Sequence, residues 1–253
     1  MKKKLTITLL ILAFNLGFSQ ELEKKEHEMV QAFIDGIKSN NINKLKTQVV
    51  YPLKRKYPLS DIYNESEFEK RYTEILDPFL KANIVSSNIK TDWAIVGWRG
   101  IMFNNGDLWL DNDGRLTTVN YLSKLEKNKR LKLIENDKKS IHESLNKFKE
   151  PVLIIETTRF KIRIDLLNNG KYRYASWPIN SKTHQKPDLI LKNGIWRTEG
   201  SGGNHRYKFV NGNYQYDCVI YILGETEHPS AELIVYQNNK IILSEPGQII
   251  REQ

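Results

Sequence analysis

From Val152 onward the hydrophobic residues of this chain recur at every second position, and an Asn-Gly or Asn-Asn pair interrupts them at intervals. The stretch "RFKIRIDLL" sets the pattern: Phe160, Ile162, Ile164 and Leu166 fall on one side of an extended chain, Lys161, Arg163 and Asp165 on the other. "KYRYASW", "RYKFVNG", "NYQYDCVIYIL" and "AELIVYQ" repeat the habit. Asn169-Gly170, Asn193-Gly194, Asn211-Gly212 and Asn238-Asn239 stand between such runs, and these pairs tolerate the positive φ that tight hairpin turns require. About eight antiparallel strands follow, and they must close against each other as a small sandwich or barrel.

The N-terminal part has a different period. Met29, Phe33 and Ile37 share one helical face, and Phe68, Tyr72, Ile75, Leu76 and Phe79 share another, with Asn64 or Ser66 as a cap. This predicts a helix, a short second helix in "SNNINKL", a loop, and a helix near Phe68 to Leu80. From Asp92 the period falls to two, broken by Asn105-Gly106 and Asp113-Gly114, as in a meander of hairpins. The expected class is α+β: cone-like N-terminal helices on a curved antiparallel sheet, followed by an all-β antiparallel sandwich or barrel. Residues 20–122 form the first domain and 151–253 the second. Residues 123–150 are a charged linker with a short helix carrying Ile141, Leu145 and Phe148, ended by Pro151.

Residues 1–19 read as a signal peptide: three lysines, an apolar stretch from Leu5 to Leu16, then small residues at Gly17 and Ser19. That stretch is shorter than the roughly 20 residues that span a bilayer. Cleavage after Ser19 removes three of the lysines behind the formal charge of +9 and predicts a secreted or periplasmic protein with no integral membrane segment. No cysteine follows the apolar stretch, so no lipid anchor is expected. Cys218, the only cysteine, excludes an internal disulfide and every multi-cysteine metal motif, and its strand parity predicts a buried, inert thiol. The charged run Lys124–Lys139 mixes both signs, as a solvated face does. Nucleic acid is not the expected partner, although polyanion binding through this run remains open.

"FIDGIKSNNINKLKTQVVYPL", a helix near Phe68 to Leu80, and "WRGIMFNNGDLWLDNDGRLTTVNY" together resemble the nuclear-transport-factor-2-like (SnoaL-like) superfamily over roughly residues 22–122. The resemblance implies a cone-shaped α+β fold that hosts isomerases, cyclases and dehydratases as well as non-enzymatic members. Members resembling ketosteroid isomerase use a tyrosine and a protonated acid at an oxyanion site, with a second acid as base; no residue of this chain aligns with those roles.

Two sets of candidate site residues remain. Tyr51, Tyr72, Trp93, Trp98 and Trp109, with Arg99 and Asp107, suit the wall of a pocket in the cone, as aromatics with a few polar groups do; the tryptophans suit a core equally. An acid-base enzyme there would use Asp107 or Asp92 as base and Tyr51 or Tyr72 as donor. In the second half, Arg173 and Trp177 precede a polar loop with Lys182, His184 and Lys186. The glycine-rich "EGSGGNHR" offers Ser201, Asn204, His205 and Arg206. That segment lacks the lysine-hydroxyl pair of a phosphate loop, has Glu199 where a nucleophile elbow needs a glycine two before Ser201, and is followed by a strand where both need a helix. It is either a permissive bend or a contact loop. His27, His142, His184, His205 and His228 have no metal-ligand spacing, and "DNDGR" lacks the closing glutamate of a calcium loop, so no metal and no cofactor are expected. The function these readings favour is a non-enzymatic binding protein that contacts a protein, glycan or small molecule, for example another envelope protein that it binds or inhibits, through β-domain loops.

Overall fold

The computed structural model describes Leu22–Gly200, Gly202–Ile222 and Pro229–Ile250. The signal-peptide segment, Ser201 and His228 lie outside the described residues. Among the described residues, six α-helices (α1, Lys24–Lys38; α2, Ile42–Thr47; α3, Glu65–Ile75; α4, Pro78–Val85; α5, Ile89–Asp92; α6, Lys124–Ser140) accompany four short strands (β1, Trp93–Ile95; β2, Ile101–Phe103; β3, Leu108–Leu110; β4, Leu116–Val119). Eight more strands follow: β5, Glu150–Thr157; β6, Phe160–Leu166; β7, Tyr172–Pro178; β8, Leu189–Thr198; β9, His205–Asn211; β10, Tyr214–Ile220; β11, Ala231–Gln237; β12, Lys240–Ile250. The class is therefore α+β. Strands β1–β4 form an antiparallel sheet in sequence order, and β5–β12 close into an antiparallel barrel. Among the described residues no helix is long and apolar enough to cross a membrane.

Two compact units form. One takes in the described residues up to Val50 with Lys81–Thr118; the other takes in Tyr51–Leu80 with the described residues from Val119 on. In the first, α1 buries Val30, Phe33 and Ile37, and Phe33 meets the edge of Trp93 at 6.2 Å, which in turn packs on Phe103 at 4.7 Å. The helix foreseen from Phe68 to Leu80 is two elements: Pro78, which has no amide proton to continue a helix, starts α4, and Asp77 Oδ1 accepts from the Leu80 amide to cap it.

The barrel follows the alternation. Ile155, Ile162, Ile164, Tyr174, Phe209 and Cys218 are among the buried inward side chains that fill its interior. The thiol of Cys218 is pushed up by burial and by neighbouring Asp217. Asn169-Gly170, Asn211-Gly212 and Asn238-Asn239 connect strands as foreseen. Asn193-Gly194 does not: both residues lie inside β8. Asn193 takes φ 61°, and β8 pairs with β7 up to Gly194 and with β9 from Ile195. This is a bend that turns the barrel wall, and Gly194 makes room for a ring, because a Cβ there would stand 2.1 Å from Phe209 Cε1. Gly194→Ala should cost about 1–3 kcal/mol by overpacking. Pairing it with Phe209→Leu should return part of that loss in urea unfolding, and an additive double variant would contradict this reading.

The charged stretch expected as a linker with only a short helix is α6, a helix of 17 residues. Its lysines, leucines and glutamates are good helix formers, and Ser123 caps it by accepting from the Glu126 amide at 3.1 Å. Ile141 and Leu145 continue from its end onto the outside of the barrel, packing with Ala175 and Trp177. Beneath them, Asp165, 0% exposed, bonds the guanidiniums of Arg163 (2.8 Å) and Arg173 (2.5 Å). Arg163 also grips Asp137 of α6 through both terminal nitrogens, at 2.9 and 2.5 Å, while Arg173 donates to the Leu145 and Lys147 carbonyls. Both guanidiniums lie over the Phe148 ring. Burial opposes the Arg163 charge, but Asp165 and Asp137 outweigh it and hold its pKa well above the ordinary value. Asp165→Ala would leave buried Arg173 without a carboxylate and Arg163 with Asp137 alone, and should cost about 3–5 kcal/mol. Breaking the exposed Glu135–Lys138 pair should cost about 0–1 kcal/mol. Urea midpoints for both variants provide the comparison.

Candidate functional site

The residues proposed for the cone pocket are divided between the two units and, within the small sheet, between its two faces. Register places Trp93, Phe103 and the other buried residues on one face of the four-stranded sheet, and Ala94 and Met102 on the opposite face with Trp109. Trp93 is core, its indole donating to Ser87 Oγ at 2.9 Å. Trp98 is 63% exposed, next to Arg99 in a 3-10 turn, Gly97–Arg99. Asp107 sits in the β2–β3 turn and accepts from Asn104 at 2.8 Å, while Asp92 accepts from the Asn88 amide. Tyr51 and Tyr72 belong to the other unit, where each packs on Phe68. Burial, helped by Glu65, pushes the Tyr51 hydroxyl up to about 12, and burial raises Tyr72. Neither shift makes these phenols better proton donors near neutrality.

Arg173 and Trp177 were expected to belong to a contact surface of the β-domain. They are 2% and 1% exposed, covered by the segment that follows α6; Arg173 is held by Asp165, and the Trp177 indole donates to the Gln185 carbonyl at 2.8 Å. Alternation puts them on the face opposite Tyr172 and Tyr174, which in the barrel is the outer face. What it did not reveal is that this face is roofed.

"EGSGGNHR" connects β8 to β9. The Glu199 amide donates to the Asn204 carbonyl at 2.7 Å, and Gly200 and Gly203 supply positive φ. Asn204 Oδ1 accepts from the Ile222 amide at 2.8 Å. Arg206 points to the outer face, paired with Glu199 and, at 2.6 Å, with buried Asp217. His205 has the opposite parity and turns to the barrel mouth. Its Nδ1 lies 2.9 Å from the Gly203 carbonyl, which can only accept, so that nitrogen carries a proton.

At this mouth, formed by the ends of β6 and β8 and the starts of β5, β7 and β9, aromatic rings follow one another from solvent inward. Trp196, 45% exposed, has its ring centroid 5.7 Å from His205; His205 is 5.6 Å from Tyr207, and Tyr207 is 4.9 Å from Tyr172. Burial raises the Tyr207 hydroxyl, with Tyr172 adding to the effect. Tyr172 also lines a cavity of about 240 Å³ with Pro151, Val152, Leu166, Lys56, Tyr57, Arg130 and Glu150. Arg130 donates to the Tyr57 carbonyl at 2.7 Å and to Glu150 at 2.9 Å; Lys56 reaches Glu150 at 3.1 Å. The loop before α3 and the helix α6 are thereby tied to the start of β5. Periodicity identified the strands that carry these rings, but it is the register of β7, β8 and β9 that brings Tyr172, Trp196 and His205 to one rim.

Burial alone would raise Glu150, but the Lys56 hydrogen bond and the Arg130 charge outweigh it and hold the carboxyl below its ordinary 4.5. With the folded value below the unfolded one, the stabilisation is complete above pH 4.5 and disappears as pH falls through the folded value. Glu150→Gln should therefore be less stable than wild type near neutrality and converge with it in acid. A gap between the two urea midpoints that does not change with pH would contradict this assignment.

The fold and this rim define a class: an α+β chain ending in a closed, internally packed eight-stranded barrel with an aromatic and cationic mouth. Comparison with family models, curated proteins and solved structures finds no match to this chain.

Proposed function

We propose that this chain is a secreted or periplasmic, non-enzymatic binding protein whose contact surface is the mouth of its barrel and the adjoining turns. In this reading residues 1–19 are a cleaved signal peptide and the helices with the small sheet are a nuclear-transport-factor-2-like cone serving as scaffold. The observation that carries it is the continuous run of rings from exposed Trp196 through His205 and Tyr207 to Tyr172, set beside Lys56 and Arg130. Below them the barrel is packed with its own side chains, so recognition falls to the rim. Exposed aromatics on a rigid frame contribute most of the affinity in many contact surfaces. The binding reading is favoured over catalysis because Asp92 and Asp107 are engaged by Asn88 and Asn104 in local turns, and burial raises the Tyr51 and Tyr72 hydroxyls.

Co-purification from periplasmic extract with tagged mature protein is the test. Trp196→Ala and His205→Ala should each deplete what the wild-type protein captures, with thermal unfolding unchanged. Capture indistinguishable between wild type and both variants would remove the mouth from consideration.

A further inference from the structure

Three properties of the mouth restrict its ligand. The barrel is closed, so no strand edge is free for an extended peptide to pair with. Affinity must come instead from ring faces and fixed charges. The cavity, about 240 Å³, is smaller than the roughly 300–1,000 Å³ that encloses a drug-sized molecule. It accepts one ring or one substituent, and the remainder of a ligand must lie across the rim, over His205 and Trp196. Finally, the charge in the cavity does not balance: Lys56 and Arg130 share the single carboxylate of Glu150. Arg130 is largely buried and committed to Glu150 and the Tyr57 carbonyl, but Lys56 is half exposed and its ammonium has donors beyond the one that Glu150 engages.

We infer that the mouth binds an acidic saccharide, with a sugar ring on Trp196 and a carboxylate at Lys56. The assignment rests on the mouth being the contact surface. A pyranose ring has an apolar C–H face that fits an exposed indole, and its hydroxyls match the polar rim that His205 and Thr198 provide. Thr198 pairs with His205 across β8 and β9, which places both beside Trp196. Neutral sugars would satisfy the ring but leave the extra positive charge unanswered. Small aromatic acids would satisfy the charge and fill the recess without using the rim.

Isothermal titration of the mature protein with trigalacturonate and with maltotriose tests this. Trigalacturonate should bind more tightly, and added salt should narrow the difference. Trp196→Ala should weaken trigalacturonate binding by about tenfold, the scale of one lost stacking contact. Lys56→Ala should bring its affinity down to that of maltotriose, and Lys56→Arg should preserve the preference, which separates loss of charge from loss of fold. Equal affinity for the two sugars, no binding of either, or trigalacturonate binding indifferent to both alanine substitutions overturns the inference. If neither sugar binds while Trp196→Ala still abolishes co-purification, the ligand class is wrong and the contact surface stands. If Trp196→Ala changes neither assay, both fall.

Discussion

Asp165 is the point on which the second unit depends. One fully buried carboxylate holds two arginines of the barrel wall, and one of these arginines reaches out to Asp137 of α6. Buried ions are expensive, and such a cluster persists only when every charge has a partner of opposite sign. Here the two terminal nitrogens of Arg173 reach Asp165 and two backbone carbonyls of the covering segment, its buried Nε is left without a hydrogen bond, and Phe148 provides a ring face to both guanidiniums. The charges thus fix where the segment after α6 must lie, while Ile141 and Leu145 supply its apolar contact. Hydrophobic packing alone would tolerate sliding along the wall; a bidentate arginine does not.

A second set of charges governs the open end. Arg55 is buried against Glu126 of α6 and donates to the carbonyls of Val119 and Tyr121. Arg130, one turn further along α6, holds Tyr57 and Glu150. Helix α6 is therefore pinned along its length: near its start by Arg55, at its middle by Arg130, near its end by Asp137. This explains why a helix with so many lysines is placed definitely, with Glu126, Arg130 and Ile134 buried and its other face in water.

Much of this fold was legible in the sequence, for reasons specific to each element. Period-two alternation locates strands reliably because a pleated chain facing a core has no other way to bury its apolar residues. The change of period near Asp92 marked the small sheet for the same reason. The signal failed where local chemistry serves a different purpose: Asn193-Gly194 has the composition of a hairpin turn, but its left-handed asparagine and absent side chain bend one long strand. It failed again with Arg173 and Trp177, whose cover comes from residues some 30 positions earlier, a pairing no local pattern encodes. The aromatic mouth was hidden similarly. His205 stands out in the sequence as part of a glycine-rich loop, whereas Trp196 and Tyr172 gain their meaning only from the register of β7, β8 and β9.

The segment Tyr51–Leu80 precedes the small sheet in the chain yet belongs with the barrel, through Arg55 to Glu126 and Lys56 to Glu150. The second unit is thus discontinuous: its first thirty residues are separated from the rest by the stretch that forms β1 to β4. In evolutionary and engineering terms, a barrel of this kind is not a portable module. Excised at the point where the hydrophobic period changes, it would leave behind the strap that neutralises its helix and floors its mouth, so any exchange of this barrel between chains must carry both pieces together.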